Sequence, residues 1–297
     1  MTEIPKDFKS GYAAIIGLPN AGKSTLMNAL LDIRLSITSP KPQTTRRRVL
    51  GILDKPSYQI VFLDTPGILE PKYLLQNRMM GQVHQSVKDA DSLVFIIDAL
   101  AKTHPVGVDL KKVNPAGKPM ILAINKIDRI PKPDILLIID QYRKYYPFQA
   151  MVPISALKKD GLDALEHELV RTLPLGLPYY PPGSVTDHPE RFFAAEIIRE
   201  KIFGQFFDEV PYSTEVTIEQ FIERPGKKDY ISASIYVERT SQKGILIGKK
   251  GEALKQIGQQ ARQDIEALLD RPVYLDLKVK VSEKWRRDEI KLKRLGY

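Results

Sequence analysis

The segment Gly17-Leu18-Pro19-Asn20-Ala21-Gly22-Lys23-Ser24-Thr25 sets an ammonium and two hydroxyls directly after a glycine-bounded loop. That order of residue types suits phosphate chemistry. The glycines let successive backbone N–H groups turn inward around an anion, and a helix starting at the lysine adds its positive end. In this G-x-x-x-x-G-K-[ST] pattern Asn20, Ala21, Gly22 and Thr25 would line the cradle. Lys23 would reach the β- and γ-phosphates, and Ser24 would hold Mg²⁺. Alone, the motif specifies only a nucleoside triphosphate.

The base is addressed further along, in Asn125-Lys126-Ile127-Asp128. A short carboxylate at the end of a buried strand accepts from two N–H groups on one edge of a purine. Guanine offers such a pair and adenine does not, so Asp128 is expected to read guanine. A site built this way rejects the wrong base strongly, because its own polar groups would be left unpaired. Asn125 would tie this loop to the phosphate loop, and the stem of Lys126 would lie over the base. At Ser155-Ala156-Leu157 a backbone N–H would meet the guanine O6. Between these motifs lies Asp64-Thr65-Pro66-Gly67, where Asp64 would hold Mg²⁺ through a water and the Gly67 N–H would sense the γ-phosphate. The polar stretch Pro42-Gln43-Thr44-Thr45-Arg46 would supply a last metal ligand, with Thr45 favoured over Thr44. Arg46, Arg47 and Arg48 read equally as phosphate- or RNA-facing cations and as a solvated loop face.

Elements must hold these loops in place. Apolar runs precede each motif: Tyr12–Ile16, Ile60–Leu63, Met120–Ile124 and Ala150–Ile154. Strand-like and helix-like segments alternate as far as Leu173. That pattern predicts an α/β fold, a doubly wound P-loop NTPase domain whose ligands sit at the carboxyl ends of parallel strands. Residues 174–188 carry several prolines and glycines, cannot form a regular element, and are expected to be a semi-rigid linker.

The chain has 297 residues, enough for two domains, and no cysteine, which excludes disulfides, thiolate zinc sites and catalytic thiols. Its longest apolar runs are too short to span a bilayer. Met1–Lys9 lacks the apolar centre of a signal peptide, so a cytoplasmic protein is expected. The net charge is +9, and in the second half it is concentrated. Arg239–Arg262 holds six basic residues against Glu252 alone, and Lys278–Tyr297 holds eight against three. These are candidate RNA faces. His84, His104, His167, His188 and the lone Trp285 show no ligand spacing and read as incidental.

Residues 189–297 read as a second, α+β domain: a helix, a hairpin over Glu215–Glu223 and Tyr230–Glu238, two further helices, a strand and a basic closing helix. Gly248-Lys249-Lys250-Gly251 falls between the two central helices. That order resembles a type II KH domain, whose G-x-x-G loop clamps the backbone of about four single-stranded nucleotides. Lys249 and Lys250 would add charge, and Ile245 and Ile247 would floor the groove.

A guanine-nucleotide domain of residues 1–173 followed by such a KH domain resembles the bacterial Era-like GTPases across the whole chain. The resemblance implies an enzyme that hydrolyses GTP to GDP with Mg²⁺. It also implies binding of small-subunit ribosomal RNA near its 3′ end, assistance to small-subunit assembly, and peripheral association with the membrane. In Ras-like proteins a glutamine follows Asp-x-x-Gly and orients water. Here Ile68 stands there, so Lys23, Thr45 and Gly67 would act with outside help. Asn20 resembles the asparagine of K⁺-activated relatives and makes K⁺ a candidate. Three other readings remain at this stage: an RNA-binding module with GTP as a structural ligand, an RNA-modifying enzyme with a GTPase appendage, and an ATPase.

Overall fold

The computed structural model describes residues 4–297. Residues 1–3, part of the stretch read for a signal peptide, lie outside them. The chain forms two compact units. Unit 1 takes the chain up to Ser36, then Thr45–Glu70 and Met79–Asp187. Unit 2 takes Ile37–Thr44, Pro71–Arg78 and His188–Tyr297.

Unit 1 is built on a six-stranded sheet with order β2-β3-β1-β4-β5-β6. Its strands are β1 (Lys9–Ile16), β2 (Val49–Lys55), β3 (Tyr58–Asp64), β4 (Ser92–Asp98), β5 (Met120–Asn125) and β6 (Ala150–Pro153). The helices are α1 (Lys23–Leu31), α2 (Leu74–Asp89, which the division between units cuts), the short α3 (Leu110–Val113), α4 (Lys132–Tyr145) and α5 (Leu162–Thr172). All neighbours are parallel except the edge strand β2, which runs antiparallel to β3. Strands covered on both faces should be apolar throughout, and Leu93–Ile97 and Ile121–Ile124 are almost completely buried. The sheet order reverses at β1, between β3 and β4. The phosphate loop follows β1 there, at the topological switch where open α/β sheets bind ligands.

The proline-rich stretch is not a free tether. Its backbone follows the edge of unit 1: Ser10 N–H donates to the Pro174 carbonyl at 3.2 Å, and Ile52 N–H donates to that of Val185 at 2.8 Å. The Gln59 amide acts as a substitute peptide, donating to Tyr180 O and accepting from Tyr180 N–H, both at 3.0 Å. Prolines bring no N–H needing a partner, so a few such bonds suffice to dock the segment.

Unit 2 has a three-stranded sheet in order β7-β8-β9, formed by Glu215–Ile222, Asp229–Val237 and Val273–Val281. β7 pairs antiparallel with β8, and β8 parallel with β9. Its helices are α6 (Glu190–Gln205), α7 (Val210–Ser213), α8 (Thr240–Ile247), α9 (Glu252–Leu269) and α10 (Glu289–Arg294). Ile231, Ala233, Ile235 and Val237 alternate along β8 and are fully buried. They pack with Ile198 and Ile202 of α6 and with Ile257, Ala261 and Ile265 of α9. Trp285, with no sequence signal beyond its rarity, is fully buried, and its indole donates to Ser213 O at 2.8 Å. Tyr297 donates to buried Glu215 at 2.7 Å.

Candidate nucleotide site and nucleic-acid interface

In unit 1 the phosphate loop leaves β1 at Ile16 and enters α1 at Lys23. The Lys23 ammonium is buried and donates to the loop carbonyls of Gly17 at 3.2 Å and Leu18 at 2.9 Å. Burial pushes its pKa down to about 8, with the charge of Asp64 acting in the opposite direction. One turn of contacts away, Ser24 Oγ donates to Asp64 Oδ2 at 2.7 Å and lies 2.9 Å from Thr45 Oγ1. Asp64 is fully buried. Burial raises its pKa, opposed first by the Ser24 hydrogen bond and then by the Lys23 charge.

Two hydroxyls and one carboxylate thus meet at a point. Hard oxygens in a small cluster suit Mg²⁺, whose octahedral shell at about 2.1 Å puts neighbouring ligands roughly 3 Å apart. Thr44 is not part of the cluster; its hydroxyl donates to Lys41 O at 2.7 Å. Gly67 comes so close to the phosphate loop that an added Cβ would stand 2.8 Å from Pro19. The following Ile68 donates its N–H to Gly17 O at 2.9 Å, and its side chain packs on the core of unit 1. Arg46 is only 1% exposed and so is no part of a solvated loop face, whereas Arg48 pairs with Asp89 at 2.7 Å on the surface, its side chain 38% exposed.

The second cluster follows β5. Asn125 donates to Ala21 O and accepts from Ala156 N–H, both at 2.9 Å. One side chain therefore links the phosphate loop to the loop after β6. Lys126 holds Asp98 at 2.6 Å and Asn20 O at 3.0 Å, which ties its ammonium to the end of β4 and to the phosphate loop. Ser155 Oγ donates to Asp128 Oδ1 at 2.6 Å, leaving the exposed carboxylate oriented with acceptor capacity to spare. Leu157 is 74% exposed. Thr25 lies half-buried on α1.

In unit 2 the Gly248–Gly251 loop joins α8 to α9. Gly248 adopts φ 71°, ψ −179°, a region essentially restricted to glycine, and a Cβ there would lie 2.7 Å from that of Ala253. Lys249 and Lys250 are exposed. Beside this loop a cavity of about 500 Å³ runs between α9 and the edge strand β9, lined by Gly251, Leu254, Gly258, Arg262, Tyr274 and Leu277 among others. Its apolar wall comes from Leu254, Leu275 and Leu277, in place of the expected Ile245 and Ile247. Ile245 is 52% exposed on α8, and Ile247 packs on the unit 2 core. The α9 residues recur every three to four positions, which was the available signal, but their facing strand β9 is known only from the fold.

Chains with this arrangement are known. The chain is 49% identical over 298 residues to GTPase Era of Geotalea uraniireducens, spanning 100% of both proteins. The chain belongs to the Era family of GTPases. It is also 41% identical to a chloroplastic GTPase ERA1 of Zea mays, covering 100% of this chain and 72% of the maize protein. A family model described as a 50S ribosome-binding GTPase matches residues 12–126, and a KH-domain model matches residues 209–286. An Aquifex aeolicus Era variant bound to GDP·AlF₄⁻ superposes with a TM-score of 0.94 at 45% identity, over 98% of this chain and 99% of that one. An Era complex with MgGDPNP and nucleotides 1506–1542 of 16S ribosomal RNA gives the same values. The P-loop domain followed by a KH domain is thus the Era architecture, and in this member both motif sets stand on elements that bring their residues together.

Proposed function

We propose that this chain is a GTP-hydrolysing switch that binds single-stranded ribosomal RNA near the 3′ end of the small-subunit RNA and assists small-subunit assembly. The observation that carries the nucleotide half is the meeting of Ser24, Thr45 and Asp64 beside Lys23. The RNA half is supported by the Gly248–Gly251 loop beside its groove and by the family's complex with 16S RNA. That complex favours the small subunit over the 50S particle in the description of the first family model.

When bound, Mg²⁺ would supply charge for the β- and γ-phosphates, with Ser24 and Thr45 as direct ligands and Asp64 through a water. Lys23 and the phosphate-loop N–H groups would stabilise charge developing on the γ-phosphate as water attacks in line. Asp128 would read the guanine edge, Lys126 would cover its face, and a backbone N–H at Ser155–Leu157 would meet O6. Ile68 has no group to orient the water, and K⁺ held at Asn20 is proposed to help. The reading places the protein in the cytoplasm with its ribosomal partner; peripheral contact with the membrane rests on basic surface alone.

Ordering of Thr45 and Gly67 by the γ-phosphate would distinguish the two states. Thr45 directly follows the unit 2 segment Ile37–Thr44, and Gly67 stands four residues before the unit 2 segment Pro71–Arg78. The decisive experiment compares binding of a ribosomal RNA 3′-end fragment with a non-hydrolysable GTP analogue and with GDP, alongside turnover in K⁺. Much tighter binding with the analogue is expected. Ile68 also favours a second reading, in which GTP is mainly a structural ligand. Negligible turnover with K⁺ and RNA present would select it.

A further inference from the structure

We propose that Asp98 is a positioning residue for guanine-nucleotide binding, one that holds the Lys126 side chain in place before the base arrives. This rests on the reading of Lys126 as the cover of the base and extends it to a residue outside the nucleotide motifs. Asp98 ends β4 and stands in register with Asn125, the last residue of β5. Residues in register on neighbouring strands project to the same face of a sheet. The Asp98 carboxylate therefore lies on the side where Asn125 reaches the phosphate loop at Ala21. Its orientation is set from behind, because Oδ1 accepts from Leu100 N–H at 2.9 Å. Oδ2 then faces the Lys126 ammonium at 2.6 Å.

Lys126 is held at both ends. Its backbone takes the left-handed conformation φ 68°, ψ 31°, uncommon for a residue with a Cβ. Its ammonium donates to Asn20 O at 3.0 Å as well as to Asp98. The carbonyl is a neutral acceptor, whereas a bond between two charged groups is roughly twice as strong. The two side chains are 28% and 27% exposed, so water screens this pair less than one on open surface. Between the two anchors the flexible carbon stem of the lysine becomes a fixed apolar strip. A lysine that was free would have to be ordered as the base docked, at a cost in affinity that prior ordering removes. Charge alone would act with the opposite sign. A carboxylate this close to the phosphate loop repels an anionic nucleotide, so deleting it would tighten binding if repulsion were its whole effect.

The test measures GDP, IDP and inorganic pyrophosphate by competition against a fluorescent GDP, using the full chain with Mg²⁺. Native protein is compared with Asp98→Asn, Lys126→Ala and the double variant. Asp98→Asn should weaken GDP and IDP alike by about 3- to 10-fold, the loss expected when a long side chain must be ordered on binding. IDP lacks the exocyclic amine that Asp128 would read, so an unchanged GDP-to-IDP ratio shows that the edge contacts are intact. Pyrophosphate, which has no base to cover, should bind no more weakly than to the native protein. In the Lys126→Ala background Asp98→Asn should weaken GDP no further, because its effect passes through the lysine. GDP binding that is unchanged or tighter in Asp98→Asn would overturn the proposal. So would a shifted GDP-to-IDP ratio, which would mean that the whole loop after β5 had moved, or an added loss in the double variant. Native GDP affinity in Lys126→Ala would overturn the reading of Lys126 itself.

Discussion

The hydroxyls of Ser24 and Thr45 lie 2.9 Å apart, although they stand 21 positions apart in the chain, one on α1 and the other in the loop before β2. Thr44, one residue earlier, bonds to its own loop. Thr45→Ala should therefore lower single-turnover GTP hydrolysis by about 10- to 100-fold, the scale of losing a group that holds a metal. Thr44→Ala should leave the rate within about twofold and cost roughly 1 kcal/mol of stability, the value of one hydrogen bond. The reverse ranking in paired kinetic and thermal-melting measurements would reassign the metal ligand.

Asp128 accepts from Ser155 at 2.6 Å, so its carboxylate is aimed before any base arrives. Asp128→Asn exchanges an acceptor for a donor and should favour xanthine, whose edge carries an acceptor where guanine has a donor. Guanine-nucleotide affinity is expected to fall by about 100-fold or more, on the scale of a buried polar mismatch, with a gain for xanthosine nucleotides. Competition against a fluorescent GDP would show it, and an unchanged GTP preference would remove Asp128 as the reader.

Lys23 has a pKa of about 8 in the folded chain, below its ordinary value, because burial penalises the charged form. Between roughly pH 8 and 10.5 the unfolded chain then holds more protons at this residue, so it contributes stability that rises with pH through that window. Bound phosphates reverse the balance by favouring the ammonium. GDP binding at pH 9 should accordingly take up close to one proton, and affinity should weaken as pH rises past about 8. Calorimetry in buffers of different ionisation enthalpy reads the uptake directly. The same uptake in Lys23→Met would show that another group is responsible.

Ile68 is packed against the unit 1 core and cannot orient water, while Asn20 sits exposed at φ 62° in the phosphate loop. If Asn20 holds K⁺, turnover in K⁺ should exceed that in Na⁺ at equal ionic strength by about tenfold, and Asn20→Ala should level the two. Identical rates in both salts for the native chain would end the proposal.

These sites differ in how much of them the sequence displays. The nucleotide motifs are local: each is a short run after an apolar strand, and backbone geometry within a few residues carries most of its chemistry. The boundaries of α9 and the alternation of β8 were equally plain, since burial enforces a period. Groove residues such as Arg262 and Tyr274 are opposed only once β9 pairs with β8, a long-range event that leaves no local mark. The docking of residues 174–187 was hidden for the same reason. Proline content excludes a helix but says nothing about the side-chain amide of Gln59 waiting on a neighbouring strand.

A last prediction concerns coupling within unit 2. Tyr73, six residues after Gly67, donates to Gln43 at 3.2 Å, and Gln43 stands two residues before Thr45. The guanidinium of Arg286 lies 5.2 Å from the centre of the Tyr73 ring and holds Glu238 at 2.5 Å. Gln242 then accepts from the N–H groups of Glu238 and Arg239 at the start of α8, the helix that leads into Gly248. Couplings between sites are typically about 1–3 kcal/mol, and residues along the connection shift them by about 0.5–2. Arg286→Ala should therefore reduce the ratio of RNA affinities in the GTP-analogue and GDP states by about 3- to 30-fold. GTP turnover without RNA should change by less than about twofold. Arg286→Lys keeps the charge but loses the planar contact with Tyr73, so it should fall between native and Ala. An unaltered affinity ratio in Arg286→Ala would show that the nucleotide signal reaches the RNA groove by some other route.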